Sequence, residues 1–299
     1  AAIGDEALLE IVPGCELEAA IPGGTEAAVA AALRADVVVL ALGEPQRYSG
    51  EAQSRVEITL PPAQQALAEA VAMAGKPIVV LLRNGRALAL QGAVRNAQAV
   101  AITWYLGTQT GHAVADVLFG DYNPSARLPV SFPQVSGQQP YFYNHPRTGR
   151  PELPTMSEFK ARWREIPNEP LYPFGHGIGY TSFAYGVPAL STARLGWDDT
   201  LVITTTLTNT GSVAGEEVAQ LYIHDRVASR VRPVRELKAF RKVLLQPGES
   251  AEVQFTLDRS QLAFTGRDGQ LRAEPGLFDV WVCASAIAGE PVQFELLAG

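Results

Sequence analysis

The chain has 299 residues, 47% hydrophobic and 18% charged, with a net charge of −7. That length suits about two domains and supplies enough apolar material for packed cores, so bulk disorder is excluded. The acidic balance argues against a nucleic-acid partner, whose affinity rests on neutralised phosphates, and no apolar run approaches the roughly 18 residues of a membrane helix.

Within Ala1–Glu10, Asp5 and Glu6 appear without a basic stretch, so no signal peptide is expected in this segment. Thr25–Arg34 is Ala-rich, with Thr25 placed to cap a helix, and Asp36–Leu42 is a short, almost wholly apolar strand candidate. Pro61–Ala74 opens on prolines suited to a first helical turn. It sets Ala63, Leu67, Ala70 and Val71 on one face and stops at Gly75-Lys76-Pro77. Ile78–Leu82 is a second strand, followed by an Asn84-Gly85 turn; Ala99–Leu106 is a third, and Gly111–Phe119 a short helix ended by Gly120. Strands apolar on both faces, alternating with amphipathic helices, predict an α/β three-layer sandwich with a mostly parallel sheet over residues 1–132.

Residues 133–185 lack periodicity and are rich in Pro, Gly and aromatics. Tyr141, Phe142, Tyr143, Trp163, Tyr172 and Phe174 are costly to leave in water, so this stretch is expected to wrap a neighbour rather than merely link domains. Over residues 186–299 strands are expected at Leu201–Thr208, Val218–Ile223, Phe240–Leu244, Ala251–Leu257 and Leu277–Val282. Turns at Asn209-Thr210-Gly211, Gln246-Pro247-Gly248 and Glu274-Pro275-Gly276 separate them. This pattern predicts an immunoglobulin-like β-sandwich. The basic run from Arg226 to Lys242 reads as an edge strand protected by charge.

Cys15 and Cys283 are expected to be buried thiols, and His112, His145, His176 and His224 lack the spacing of a zinc motif, so no metal or other cofactor is expected. Phosphate-loop, dinucleotide and nucleophile-elbow motifs are missing. In open α/β sheets ligands bind beyond the carboxyl ends of the strands. The richest polar loop there is Gly43–Arg55, with two carboxylates (Glu44, Glu51), two guanidiniums (Arg47, Arg55) and Tyr48. A carboxylic acid on such a loop can act as a general acid; Glu51 and Arg55 can equally be a solvated surface pair. The residues alone leave both open.

The loop SGEAQSR (Ser49–Arg55) and the helix opening LPPAQQAL (Leu60–Leu67) resemble the second domain of glycoside hydrolase family 3. So do LLRNGRALAL (Leu81–Leu90), Trp104–Pro133 and LYPFGHGIGYTSF (Leu171–Phe183). LTNTG (Leu207–Gly211), GEEVAQLYI (Gly215–Ile223) and RELKAFRKVLLQPGE (Arg235–Glu249) resemble that family's fibronectin type III-like domain. Ala126 and Gly179 depart from the family's usual Gly and Ser.

The resemblance implies retaining hydrolysis of β-linked glucosides or related sugars, with a carboxylate nucleophile and a second carboxyl serving as acid and then base. It places the nucleophile, an Asp, on an N-terminal barrel domain not among these residues, and carries the acid/base role to Glu51. Glu44 is given a structural or outer-subsite role. Arg47, Tyr48 and Arg55 are candidate substrate contacts, Arg55 also as a brace for the loop, while Asn84, Arg86, Trp104 and Tyr105 are read as fold residues at strand ends. The isolated segment is expected to be inactive, and family habit implies a periplasmic or secreted enzyme. A noncatalytic carbohydrate-binding or scaffold module is the alternative; Glu51, where Gln or Ala would have disarmed the loop, favours catalysis.

Overall fold

The structure is a computed structural model, describing residues 9–151 and 159–299. Most of the segment read for a signal peptide (1–8) and part of the expected wrapping stretch (152–158) lie outside them. The chain forms two compact units, Ala1–Tyr122 with Phe132–Gln139 and Asn123–Ser131 with Pro140–Gly299.

The first unit runs α1 (Gly24–Arg34), β1 (Val38–Gly43), α2 (Pro62–Ala72), β2 (Ile78–Arg83), α3 (Gly92–Arg95), β3 (Ala99–Ile102) and α4 (Thr110–Leu118). Its three strands form a parallel sheet in the order β1-β2-β3, with Gly43 opposite Arg83 at the carboxyl end of the first pair. The expected helix cap at Thr25 is not used. Gly23 caps α1 in the left-handed region (φ 72°), which glycine enters freely, and at the next position a Cβ on Gly24 would meet the Gly14 carbonyl oxygen at 2.5 Å. The third strand stops at Ile102, short of the expected Leu106, where Trp104 takes a left-handed backbone (φ 47°) and its ring meets Phe132 at 6.1 Å. Leu40, Leu42, Val80 and Leu82 are buried, as are Leu67 and Val71 of α2. Val39 and Ala41 remain exposed and α4 buries none of its residues, so the expected cover on both faces of β1 is met on one face among the described residues.

The second unit contains β4 (Phe183–Tyr185), β5 (Ala189–Leu190), β6 (Arg194–Leu195), β7 (Leu201–Asn209), β8 (Gly215–Asp225), β9 (Glu236–Leu245) and β10 (Ser250–Leu257). A short α5 (Arg259–Leu262) precedes β11 (Phe264–Thr265), β12 (Leu271–Arg272), β13 (Gly276–Cys283) and β14 (Val292–Leu296). One sheet has the order β10-β7-β4, with β5 also on β7; the other is β6-β14-β13-β8-β9. Period-two burial along β7 and β10 sends Leu201, Ile203, Leu207, Val253, Phe255 and Leu257 into one core with residues of β8, β13 and β14. The basic run ends in β9, which stands at a sheet edge, and its Lys242 pairs with Glu216 at 2.7 Å.

Residues 123–131 belong with the sandwich because they are bonded to it. Asn123 Nδ2 donates to the Ala214 carbonyl (2.8 Å), and Arg127 pairs with Glu217 at 2.7 Å with both side chains more than nine-tenths buried. From the expected wrapping segment, Tyr143 stacks on Phe174 (4.1 Å), meets Tyr222 edge-on (6.1 Å) and accepts a hydrogen bond from Leu237 N. Phe142 and Trp163, expected to pack as well, remain 59% and 46% exposed.

Candidate active site

Parallel strands end together, so the segments leaving β1, β2 and β3 converge. After β1 come Gly43 and Glu44, after β2 the Asn84-Gly85-Arg86 turn, and after β3 Thr103, Trp104 and Tyr105. Gly43 is required: a Cβ there would lie 1.9 Å from the Arg83 carbonyl oxygen. Gln64 of α2 clamps this point, accepting from Gly43 N (2.7 Å) and donating to the carbonyls of Gly43 (2.8 Å) and Leu17 (2.7 Å).

Glu44 is therefore delivered into the interior, 2% exposed. Burying a lone carboxylate is expensive, and two guanidiniums answer it. Arg55 Nη1 donates to Glu44 Oε1 at 2.5 Å and to the Thr59 carbonyl at 3.2 Å, and Arg86 Nε stands 3.4 Å from the same carboxylate oxygen. The Tyr105 hydroxyl donates to the Glu44 carbonyl (3.3 Å). All three strand ends thus meet at one acidic residue.

The rest of the loop rises from this base. A 3-10 turn, Gln46–Tyr48, leads to a tip at Gly50-Glu51-Ala52, where Ala52 adopts the left-handed region (φ 58°). Arg86 Nη2 donates to the carbonyl of Tyr48 on one side of the tip and to that of Gln53 (3.2 Å) on the other. Gly85 lets its turn approach, since a Cβ there would meet Ser49 Oγ at 2.1 Å and the Tyr105 ring at 2.9 Å. Farther along, Ala89 N donates to the Ile58 carbonyl and Ile58 N to Ser136 Oγ, which anchors the returning arm.

The candidate residues therefore separate. Glu51 is exposed at the tip, and among the described residues no hydrogen bond or ion pair holds its carboxylate. Tyr48 is half-buried with the Arg55 guanidinium 4.8 Å above its ring, a cation–π contact of about 0.5–1 kcal/mol. Arg55 braces Glu44 rather than Glu51, and Arg47 pairs with Glu18. The sequence reading left Arg86 among fold residues and did not single out Gln64. The signal for Arg86 was available: in a parallel pair, a turn directly after one strand lies beside the loop that leaves its neighbour. Among the described residues no group of three or more His, Cys, Asp or Glu is gathered as a metal site.

Chemically, the loop holds two carboxylates in opposite environments. One is buried and neutralised by arginines; the other projects into solvent on a tethered tip, where it can meet a partner group.

Residues 7–180 match the glycosyl hydrolase family 3 C-terminal domain, and residues 217–286 the fibronectin type III-like domain. A periplasmic beta-glucosidase of Salmonella typhimurium is 44% identical over 271 residues, covering 90% of this chain and 35% of that protein. A beta-xylosidase of Formosa agariphila is 36% identical over 96% of this chain and 39% of its own length. The crystal structure of a beta-glucosidase from Listeria innocua in complex with glucose superposes with a TM-score of 0.90 at 41% identity, covering 94% of this chain and 39% of that one. The chain thus spans little more than a third of the length of these relatives.

Proposed function

The chain belongs to glycosyl hydrolase family 3 through its C-terminal domain, and from that premise we propose that it is the part of a retaining β-glycosidase that carries the general acid/base, Glu51. Family membership and homology to beta-glucosidases and beta-xylosidases are established; the residue roles are our reading.

In this reading the longer protein also holds a barrel domain with an Asp nucleophile. The Glu51 carboxylic acid gives its proton to the glycosidic oxygen as the C–O bond breaks, and the anomeric carbon bonds to the Asp carboxylate. The Glu51 carboxylate then takes a proton from the water that attacks the glycosyl-enzyme, restoring both groups. In retaining enzymes the two carboxyls stand about 5–5.5 Å apart, so a donor on one domain must project toward the other. The substrate is a β-glucoside or related β-linked sugar, and Arg47 and Tyr48 flank its leaving-group side, with Arg55 behind them on Glu44. In this reading turnover needs the barrel's Asp, so the 299 residues by themselves are expected to be inactive on an aryl β-glucoside. No helix among the described residues is long and apolar enough to cross a membrane; a periplasmic or secreted location follows the Salmonella relative.

One observation carries the reading: of the two carboxylates in the loop, only Glu51 is exposed, while Glu44 is interior and paired. The test is Glu51→Gln in the longer protein. Turnover of alkyl β-glycosides should collapse, while substrates with good leaving groups, which need little protonation at the first step, should be largely spared in glycosyl-enzyme formation. Equal losses across leaving groups, or none, would discard the assignment.

A further inference from the structure

Within the loop, the tip that carries Glu51 is closed by one long backbone hydrogen bond, from Gln53 N to the Gly50 carbonyl at 3.3 Å. Ala52 sits in a backbone region that a non-glycine residue enters at a cost, so a released tip has other conformations open to it. Among the described residues, Arg86 is the side chain from outside the loop that spans it. Arg86 Nη2 donates to the carbonyl of Tyr48 before the tip and to that of Gln53 after it, at 3.2 Å in the second case.

We infer that Arg86 is a positioning residue for the acid/base: by bracketing Gly50-Glu51-Ala52 it sets where the Glu51 carboxyl stands relative to the glycosidic oxygen. This rests on the assignment of Glu51 as proton donor. Arg86 is itself held at both ends. Its guanidinium faces Glu44 at 3.4 Å, and its own carbonyl accepts from Asn84 Nδ2 at 2.6 Å, which fixes the turn from which it springs. Gly85 brings that turn close, with no side chain in the way of Ser49. The task suits arginine, whose rigid fork offers several donors in fixed directions. A lysine could keep the charge opposite Glu44 but could not hold the same fork of contacts. Glu44 and Arg55 then act at one remove, as the base on which the clamp rests.

The experiment uses the longer glycosidase with Arg86→Lys, Arg86→Ala, Glu51→Gln and the double variant Arg86→Lys/Glu51→Gln. Each is assayed on an alkyl β-glucoside and, in the pre-steady state, on a dinitrophenyl β-glucoside. Displacement of a proton donor by about an ångström can cost about 100-fold, so the Arg86 variants should lose roughly 10- to 100-fold in kcat on the alkyl substrate. On the dinitrophenyl substrate the loss in glycosylation should stay within about threefold, with KM little changed, because departure of that group needs little proton donation. The double variant should be no slower on the alkyl substrate than Glu51→Gln alone, since a clamp has nothing to position once the donor is gone.

Equal losses on both substrates from the Arg86 variants, or losses that multiply in the double variant, would overturn the inference. Arg86→Lys keeps the charge beside Glu44, so it carries the test should Arg86→Ala fail to fold. If Glu51→Gln lacks leaving-group dependence, the donor assignment itself has fallen and the inference with it. If Glu51→Gln shows that dependence while Arg86→Lys does not, the positioning role alone is wrong.

Discussion

The Glu44 carboxylate lies 2.5 Å from Arg55 Nη1 with no exposure of its own side chain, and the Arg86 guanidinium closes on the same oxygen from 3.4 Å. The two arginines are tolerable there because the anion is. Glu44→Gln keeps the shape and removes the charge, leaving two partly buried cations facing a neutral amide. We expect a loss of about 2–4 kcal/mol, read by urea unfolding of the first unit. A variant as stable as its parent would show that the arrangement contributes nothing net.

Gly85 and Ser49 form a second coupled pair. Gly85→Ala puts a methyl where Ser49 Oγ and the Tyr105 ring now lie, at 2.1 and 2.9 Å, and should cost about 1–3 kcal/mol through overpacking. Ser49→Gly removes the nearer obstacle, so the double variant should regain part of that loss. Strictly additive destabilisation in thermal melts would mean that the two positions do not touch.

In the sandwich unit the Arg127–Glu217 pair is more deeply buried than Glu44's arginines, and the Tyr185 hydroxyl donates to the same Glu217 carboxylate at 3.1 Å. Burial and that carboxylate push the Tyr185 hydroxyl far above the ordinary phenol range, so it stays a donor at any working pH. Arg127→Met should destabilise the unit by about 3–5 kcal/mol by stranding Glu217, and Arg127→Met/Glu217→Met should recover most of it, as measured by denaturant midpoints. A double variant no more stable than the single one would show that a stranded Glu217 is not what Arg127→Met costs.

His176 stacks on Tyr172 at 5.3 Å, and burial together with the Arg127 guanidinium holds it below its ordinary value of 6.5. A depressed histidine favours its neutral form in the fold, so the unfolded chain binds the proton more readily. Its contribution is intact above about pH 6.5 and is lost as pH falls from there toward the folded-state value. His176→Phe, which keeps the stack and cannot titrate, should lose less stability than the parent between about pH 7.5 and 5.5. Parallel pH profiles would remove His176 as a source of acid sensitivity.

Much of the architecture was legible because its signals are local. Ile78–Leu82 is apolar throughout, as an interior parallel strand must be, and Ala251–Leu257 alternates with period two, as a half-buried one must; both are strands. The end of the third strand was not legible, because Trp104 leaves the sheet through a backbone conformation that a tryptophan does not advertise. The loop shows the same division. Its carboxylates and arginines could be counted along the chain, but which carboxylate is interior depends on Arg86, delivered by the next strand, and on Gln64, delivered by a helix. Neither partner is written into the loop. Glycine at positions 43 and 85 was the available hint that other backbone passes close by.

The allocation of residues 123–131 to the sandwich, with 132–139 returning to the first unit, has a practical consequence for anyone dividing the gene. No single cut yields two intact modules. Truncation before Pro140 would deprive the sandwich of Arg127 and Asn123, leaving Glu217 without its cation and the Ala214 carbonyl without its Asn123 donor. During synthesis the order is equally constrained, for Arg127 leaves the ribosome well before its acidic counterpart and must wait until Glu217 has been made.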